Sequence, residues 1–346
     1  MSVEEQQAAA PLRVGIDLGT SRSAISCSSG GQFVVDSFVG WPADLVARKV
    51  LKKDMVIGRD ALDNRSMVDL HRPLERGLIK EGSERDLQAA RELLRHLLSL
   101  VAPKNGGEKR QVRAVVGVPA AALRTNKQYL RNALKGVVDS LMIVSEPFAV
   151  AYGLNALVHT LIIDIGAGTT DFCVMKGRYP TDEDQRSLTL AGDSIDAHLH
   201  KAVQSKYPKA SVTLFMVRDW KEKYSFVGAA PAPVIVSAPV DGVPTDLDIT
   251  NEMRAACESI VPPIVETMLS LLSQVDPEFQ HKVRQNITVA GGGALIRNLD
   301  KTLEAALERV GGGKVTITTA PMFVGSDGGL AIAQDAQDSD WDRLAS

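Results

Sequence analysis

Two stretches of the chain, "RVGIDLGTSRSAIS" (Arg13 to Ser26) and "LIIDIGAGTTDFCV" (Leu161 to Val174), share one pattern. Each runs from an apolar segment through an aspartate, an apolar residue, a glycine and small or hydroxyl residues into a second apolar segment. Asp17 and Asp164 lie 147 positions apart in a chain of 346 residues. One Asp-x-Gly says little, because Asp and Gly favour turns for ordinary conformational reasons. Two in register imply a duplicated architecture in which each half opens on a β-hairpin and presents its turn to a cleft between domains.

Length agrees, since 346 residues exceed one ordinary core and fit two domains. The first is expected over residues 1–155, with a small subdomain at about 32–72, and completed by a C-terminal helix at about 330–346. The second is expected over 156–329, with a small subdomain at about 193–250. Glu84 to Val101 places Leu87, Ala90, Leu94, Leu97 and Val101 on one helical face. "VRAVVGVP" reads as a buried strand, and a helix is expected from Thr125 to about Val138. "SLMIVSEPFAVAYGL" reads as a strand, a turn at Ser145–Glu146 and a helix with Pro147 in its first turn.

Further on, a helix is expected from about Asp193 to before Pro208, and a hairpin at Asp241–Gly242. Thr250 to Val275 reads as a helix kinked or split by Pro262–Pro263. "VAGGGALIRNL" follows a strand and is expected to open a helix that Gly311 closes. Strands alternating with helices place the chain in the α/β class with mixed sheets.

The two hairpin turns supply backbone N–H groups and hydroxyls: Gly19, Thr20 and Ser21 in one, Gly166, Ala167, Gly168, Thr169 and Thr170 in the other. Such turns form anion-binding nests suited to phosphates. Asp17 and Asp164 beside phosphate oxygens would repel them unless a hard cation lay between. Mg2+ fits, because it is held by one or two carboxylates together with substrate phosphates. The alternative for each turn is an ordinary loop whose Asp caps backbone amides. Gly291, Gly292 and Gly293 would let an adenosine lie flat against backbone, or else form a tight turn with no ligand. Glu146 at a helix start either caps it or orients and deprotonates a water attacking a γ-phosphate. His198 and His200, two apart on a helix, point to different sides and do not suit a metal.

A net charge of −3 provides no broad basic surface, which argues against nucleic acid as the main partner. Cys27, Cys173 and Cys257 form no Cys-x-x-Cys pair and suit free thiols of a reducing cytoplasm, with Cys27 and Cys173 as small core residues. No apolar stretch is expected to reach the about 18 residues of a membrane span. The N-terminus lacks the regions of a signal peptide. The end, "QDAQDSDWDRLAS", with four Asp and one Arg, is expected as a solvated tail.

Taken together, these motifs resemble the actin superfamily. "GIDLGTSRSAI" and "LIIDIGAGTTDFCV" are similar to its two phosphate motifs, and "VAGGGALIRNL" to its adenosine motif. "SEPFAVAYGL" and "MFVGSDGGLAIA" resemble its two connecting helices. "AGDSID" and "VRDWKEKYSFVG" carry a finer likeness to bacterial actins of the MreB type. Within these, the resemblance runs to those that organise magnetosomes.

The resemblance implies a duplicated two-domain fold with ribonuclease H-like halves, each with a smaller subdomain. It implies ATP with Mg2+, slow filament-coupled hydrolysis activated by Glu146, and head-to-tail assembly into paired protofilaments. It adds Gly192, Lys221, Glu222 and Leu295 to the nucleotide contacts. The partners it implies are further copies of the chain and adaptor proteins linking to magnetosome vesicles. No terminus resembles the membrane anchors of MreB, so direct membrane insertion is not expected. Ala167 stands where eukaryotic actin has an acidic residue. Arg22 faces either phosphate or solvent. The other reading on the same fold is a soluble small-molecule phosphotransferase of the sugar-kinase kind, for which no substrate motif is evident.

Overall fold

The computed structural model describes residues 10–80, 84–102, 110–121 and 127–343. Most of the N-terminal stretch and the "KNGGEK" break lie outside the described residues. Contacts divide the chain into two compact units, Met1–Leu154 with Phe323–Ser346, and Asn155–Met322.

The first unit opens on the hairpin β1 (Leu12–Leu18) and β2 (Arg22–Cys27), continued by β3 (Gln32–Asp36). There follow β4 (Val39–Pro42), α1 (Leu45–Leu51), β5 (Val56–Ile57), α2 (Arg59–Asp63) and β6 (Val68–His71). These form a small three-stranded sheet, order β5-β4-β6, over its own cluster of Phe38, Val56, Ala61 and Val68. A short hairpin of β7 (Leu74–Glu75) and β8 (Leu78–Ile79) leads to α3 (Glu84–Val101), β9 (Val112–Val118), α4 (Lys127–Leu134), β10 (Ser140–Ser145) and α5 (Glu146–Gly153). The apolar face expected of α3 is buried through Ala90, Leu94, Leu97 and Val101, with Ala89 and Leu93 beside them.

The second unit repeats the plan with β11 (Val158–Ile165), β12 (Thr170–Lys176) and β13 (Gln185–Leu188). It continues through α6 (Gly192–Lys206), α7 (Leu214–Tyr224), β14 (Ile235–Val240) and β15 (Val243–Asp248). Asp241 (φ 48°) and Gly242 (φ 83°) turn the β14–β15 hairpin, as an Asp-Gly pair does in a type I′ turn. Then come α8 (Thr250–Glu258), α9 (Val261–Ser273), α10 (Pro277–Arg284), β16 (Ile287–Ala290), α11 (Leu299–Leu307) and β17 (Val315–Ile317). The chain returns to the first unit with α12 (Val324–Asp335) and β18 (Asp342–Arg343).

The duplication is visible in topology. In the first unit β10-β9-β1-β2-β3 lie side by side, and in the second β17-β16-β11-β12-β13. In both, the opening strand pairs antiparallel with its hairpin partner and parallel with a strand from far along the chain. Cys27 and Cys173 occupy matching second strands and, like Cys257, are buried free thiols, as expected.

What holds α12 in the first unit is close backbone approach. A Cβ on Gly15 of β1 would lie 2.0 Å from the Ser326 carbonyl oxygen, and one on Gly328 would lie 1.8 Å from that of Ala149 in α5. Gly153 of α5 meets Gly328 in the same way. Side chains larger than hydrogen would push the helix off both neighbours.

Four expectations need correction. The helix expected to reach about Val138 ends at Leu134, because Gly136 adopts φ 72°. The glycines after β16 do not open a helix: residues Gly292–Leu295 form one 3-10 turn, and α11 starts only at Leu299. The acidic end is not simply solvated. Trp341 is buried, Asp338 pairs with Arg113 at 2.6 Å, and β18 pairs with the outer strand β10, covering part of an open edge. Finally, Thr250–Ser273 is long and apolar enough by composition to cross a membrane. In the fold it is split into α8 and α9 ahead of Pro262–Pro263, and Met253, Ile260, Ile264, Met268 and Leu272 lie in the core of the second unit. Its apolar character is that of a core helix.

Gly328→Ala is expected to cost about 2 kcal/mol or more by overpacking. Gly292→Ala, whose Cβ would meet open space, is expected to be close to neutral. Thermal unfolding of both variants checks this, and equal midpoints would contradict the account of α12.

Candidate functional site

In the first unit three neighbouring parallel strands, β1, β9 and β10, end together, and ligands of open α/β sheets bind beyond such carboxyl ends. Asp17 pairs in register with Gly117, and Gly117 with Val144, one residue before the Ser145–Glu146 turn. Glu146 begins α5, and a Cβ on Gly117 would lie 3.5 Å from its Cγ. The missing side chain at 117 therefore leaves room between the two carboxylates on either side. On the opposite flank, Gly325 in the first turn of α12 comes so near Asp17 that a Cβ would lie 2.9 Å from Oδ2. Desolvation in this half-buried position pushes the Asp17 carboxyl up to about 6.

The β1–β2 turn is braced from outside. Thr20 is buried, and its hydroxyl accepts the Gly77 N–H at 2.6 Å while its carbonyl accepts Arg72 Nε at 2.9 Å. Ser37 Oγ donates to the Gly19 carbonyl at 2.7 Å, and the Ser37 N–H to that of Ser21 at 2.8 Å. Arg22 lies with Nε 3.4 Å from Asp36 Oδ1 on β3. Sequence reasoning missed Arg72, Gly77, Gly117 and Gly325; nothing in their local context ties them to a turn or strand end so far along the chain.

The second unit places a comparable set of groups at the end of its own opening strand. Asp164, 8% exposed, stands one residue before the end of β11 beside Ala290 of β16. Gly291 (φ 74°) follows, and a Cβ there would lie 2.3 Å from Asp164 Oδ1. A Cβ on Gly293 would lie 2.2 Å from Cγ2 of Ile165. Of the three glycines only Gly292 faces open space, while Leu295 is 59% exposed. In the β11–β12 turn the Gly166 N–H donates to the Thr169 carbonyl at 2.9 Å, and Thr169 is buried. Two amides at the start of α6, Gly192 and Asp193, donate to the carbonyls of Gly166 (3.2 Å) and Ala167 (2.7 Å). Lys221 on α7 donates to the Gly192 carbonyl at 2.8 Å, and Glu222 beside it is exposed. His198 is exposed and His200 faces the Val212 carbonyl at 3.1 Å. No His, Cys, Asp or Glu cluster able to hold a metal alone occurs among the described residues.

The family described as MreB/Mbl protein matches residues 12–340, nearly the whole chain. The chain belongs to the MreB/Mbl family. Among its relatives, the actin-like protein MamK of Paramagnetospirillum magneticum is 39% identical over 344 residues, covering 99% of this chain and 98% of that one. A solved MamK double helical filament superposes with a TM-score of 0.91 at 39% identity, over 94% of this chain and 100% of that one. A non-polymerising MamK mutant bound to AMPPNP matches with a TM-score of 0.72 at 39% identity, over 95% of this chain and 100% of that one. Membership of this family accounts for the duplicated sheets: the fold is actin-like, with two related halves.

Proposed function

We propose that the chain binds ATP with Mg2+, hydrolyses it slowly, and assembles with further copies of itself into filaments that organise magnetosome vesicles through adaptor proteins. The observation that carries the reading is that Asp17 and Glu146 come to the same end of the sheet on either side of β9, with Asp17 half-buried and its carboxyl raised by desolvation. The likeness to MamK in its filament and AMPPNP-bound forms supports the same reading.

The residues fit a hard cation. A half-buried carboxylate held well above its ordinary pKa is one that a divalent ion would keep ionised, and oxygen donors are what Mg2+ takes. Asp17 and Asp164 are the carboxylates that would hold it, and bound there it would neutralise phosphate charge. The first unit contributes Gly19, Thr20 and Ser21 towards the phosphates. The second contributes Gly166, Ala167, Gly168 and Thr169, with Gly192, Lys221, Glu222, Gly291, Gly292, Gly293 and Leu295 towards the rest of the nucleotide. Glu146 orients the attacking water and accepts its proton as the bond to the γ-phosphorus forms and ADP leaves.

Three outcomes are expected. Mixed with Mg-ATP and spun at high speed, the protein enters the pellet above a threshold concentration; protein that stays in the supernatant over a wide range removes the filament, and turnover stimulated by a small acceptor would then favour a phosphotransferase. In the same assay Glu146→Ala still pellets but releases phosphate about 100-fold more slowly or worse, as loss of a general base does. Normal release would end the role given to Glu146. Asp17→Asn loses most of the gain in ATP affinity that Mg2+ confers on the wild type, read by equilibrium binding with and without the ion. A gain of wild-type size would show that Asp17 does not serve the metal.

A further inference from the structure

Lys221 and Arg218 stand three residues apart on α7 and so share a face. Both reach Asp196 in the second turn of α6, which is 4% exposed: Lys221 Nζ lies 2.8 Å from its Oδ1 and Arg218 Nε 3.3 Å from its Oδ2. Arg218 Nη2 also reaches Asp193 Oδ1 at 3.3 Å, and Lys221 Nζ holds the Gly192 carbonyl. From this start of α6, the Gly192 and Asp193 amides grip the carbonyls of Gly166 and Ala167. A continuous set of contacts therefore runs from α7 through a buried carboxylate to the phosphate turn.

The geometry of the peptide unit gives that grip a direction. The Gly166 carbonyl shares a peptide with the Ala167 N–H, and the Ala167 carbonyl with the Gly168 N–H. In a trans peptide the two point opposite ways, and no cis peptide bond occurs among the described residues. Holding both carbonyls towards α6 turns the Ala167 and Gly168 N–H groups away from it.

We propose that Asp196 is a positioning residue of the nucleotide site. It locks the start of α6 so that these two amides stay aimed as phosphate donors, an inference that rests on the nucleotide reading above. Lys221 acts through the same brace: its side chain is 13% exposed and its ammonium already serves two protein oxygens. A buried charge cluster is a costly way to join two helices, but it fixes their register in a way apolar contacts do not.

Displacement of a fluorescent ATP analogue by ATP or by adenosine tests this. Asp196→Asn is expected to weaken ATP about tenfold, the loss of one good charge-assisted interaction, while adenosine changes by less than about twofold. If that variant does not fold by circular dichroism, Arg218→Met, which removes one cation and leaves Asp196 paired with Lys221, is expected to weaken ATP by about threefold, with adenosine again changed by less than about twofold. Wild-type ATP affinity in the variant, or equal losses for ATP and adenosine, overturns the positioning role. A wild-type protein that binds no ATP overturns the nucleotide reading itself.

Discussion

The first unit depends on the contact between α12 and the strand and helix beneath it. Gly15, Gly153 and Gly328 bring backbone against backbone, so that α12 covers β1 and packs on α5 with no side chain between. That closeness places the start of α12 beside Asp17 and fixes α5, which carries Glu146 at its first position. Dispersion and burial over so short a separation are strong, but they tolerate no added atoms. Asp17 and Glu146 therefore inherit their positions from backbone packing elsewhere along the same strand and helices.

The second unit reaches a similar end by polar means. Its β11–β12 turn is held by two amides from α6, and α6 by a lysine and an arginine from α7 acting on buried or half-buried carboxylates. Backbone packing is unforgiving but indifferent to pH and salt. A charge network is more specific in register, and it costs desolvation. The two halves share a sheet order and differ in what steadies their turns.

Much of the architecture was legible because it rests on local rules. The repeated Asp-x-Gly pattern marked both hairpins, Asp241–Gly242 marked a third, and Pro262–Pro263 marked the break between α8 and α9. The 3.6-residue spacing of Ala90, Leu94, Leu97 and Val101 marked α3. What escaped was non-local. Gly117 and Gly325 matter only because the fold brings them to Asp17 and Glu146, and Asp196 only because two cations arrive from α7. The same holds for Trp341 and β18: an acidic segment reads as solvated until an open strand edge is available to receive it. The glycines at 291–293 looked alike in sequence, yet two are taken up by packing on Asp164 and Ile165, and one is left open.

The order in which the chain is made gives the return of α12 a further meaning. The second unit is continuous, residues 155–322, whereas the first is interrupted by it. The face of β1 stays uncovered until α12 has been synthesised, by which time every residue of the second unit has already been made. Domains of a growing chain generally fold as units. Here the unit that begins first is completed last, and a ribosome that stops short of Phe323 leaves a finished second unit attached to an open sheet.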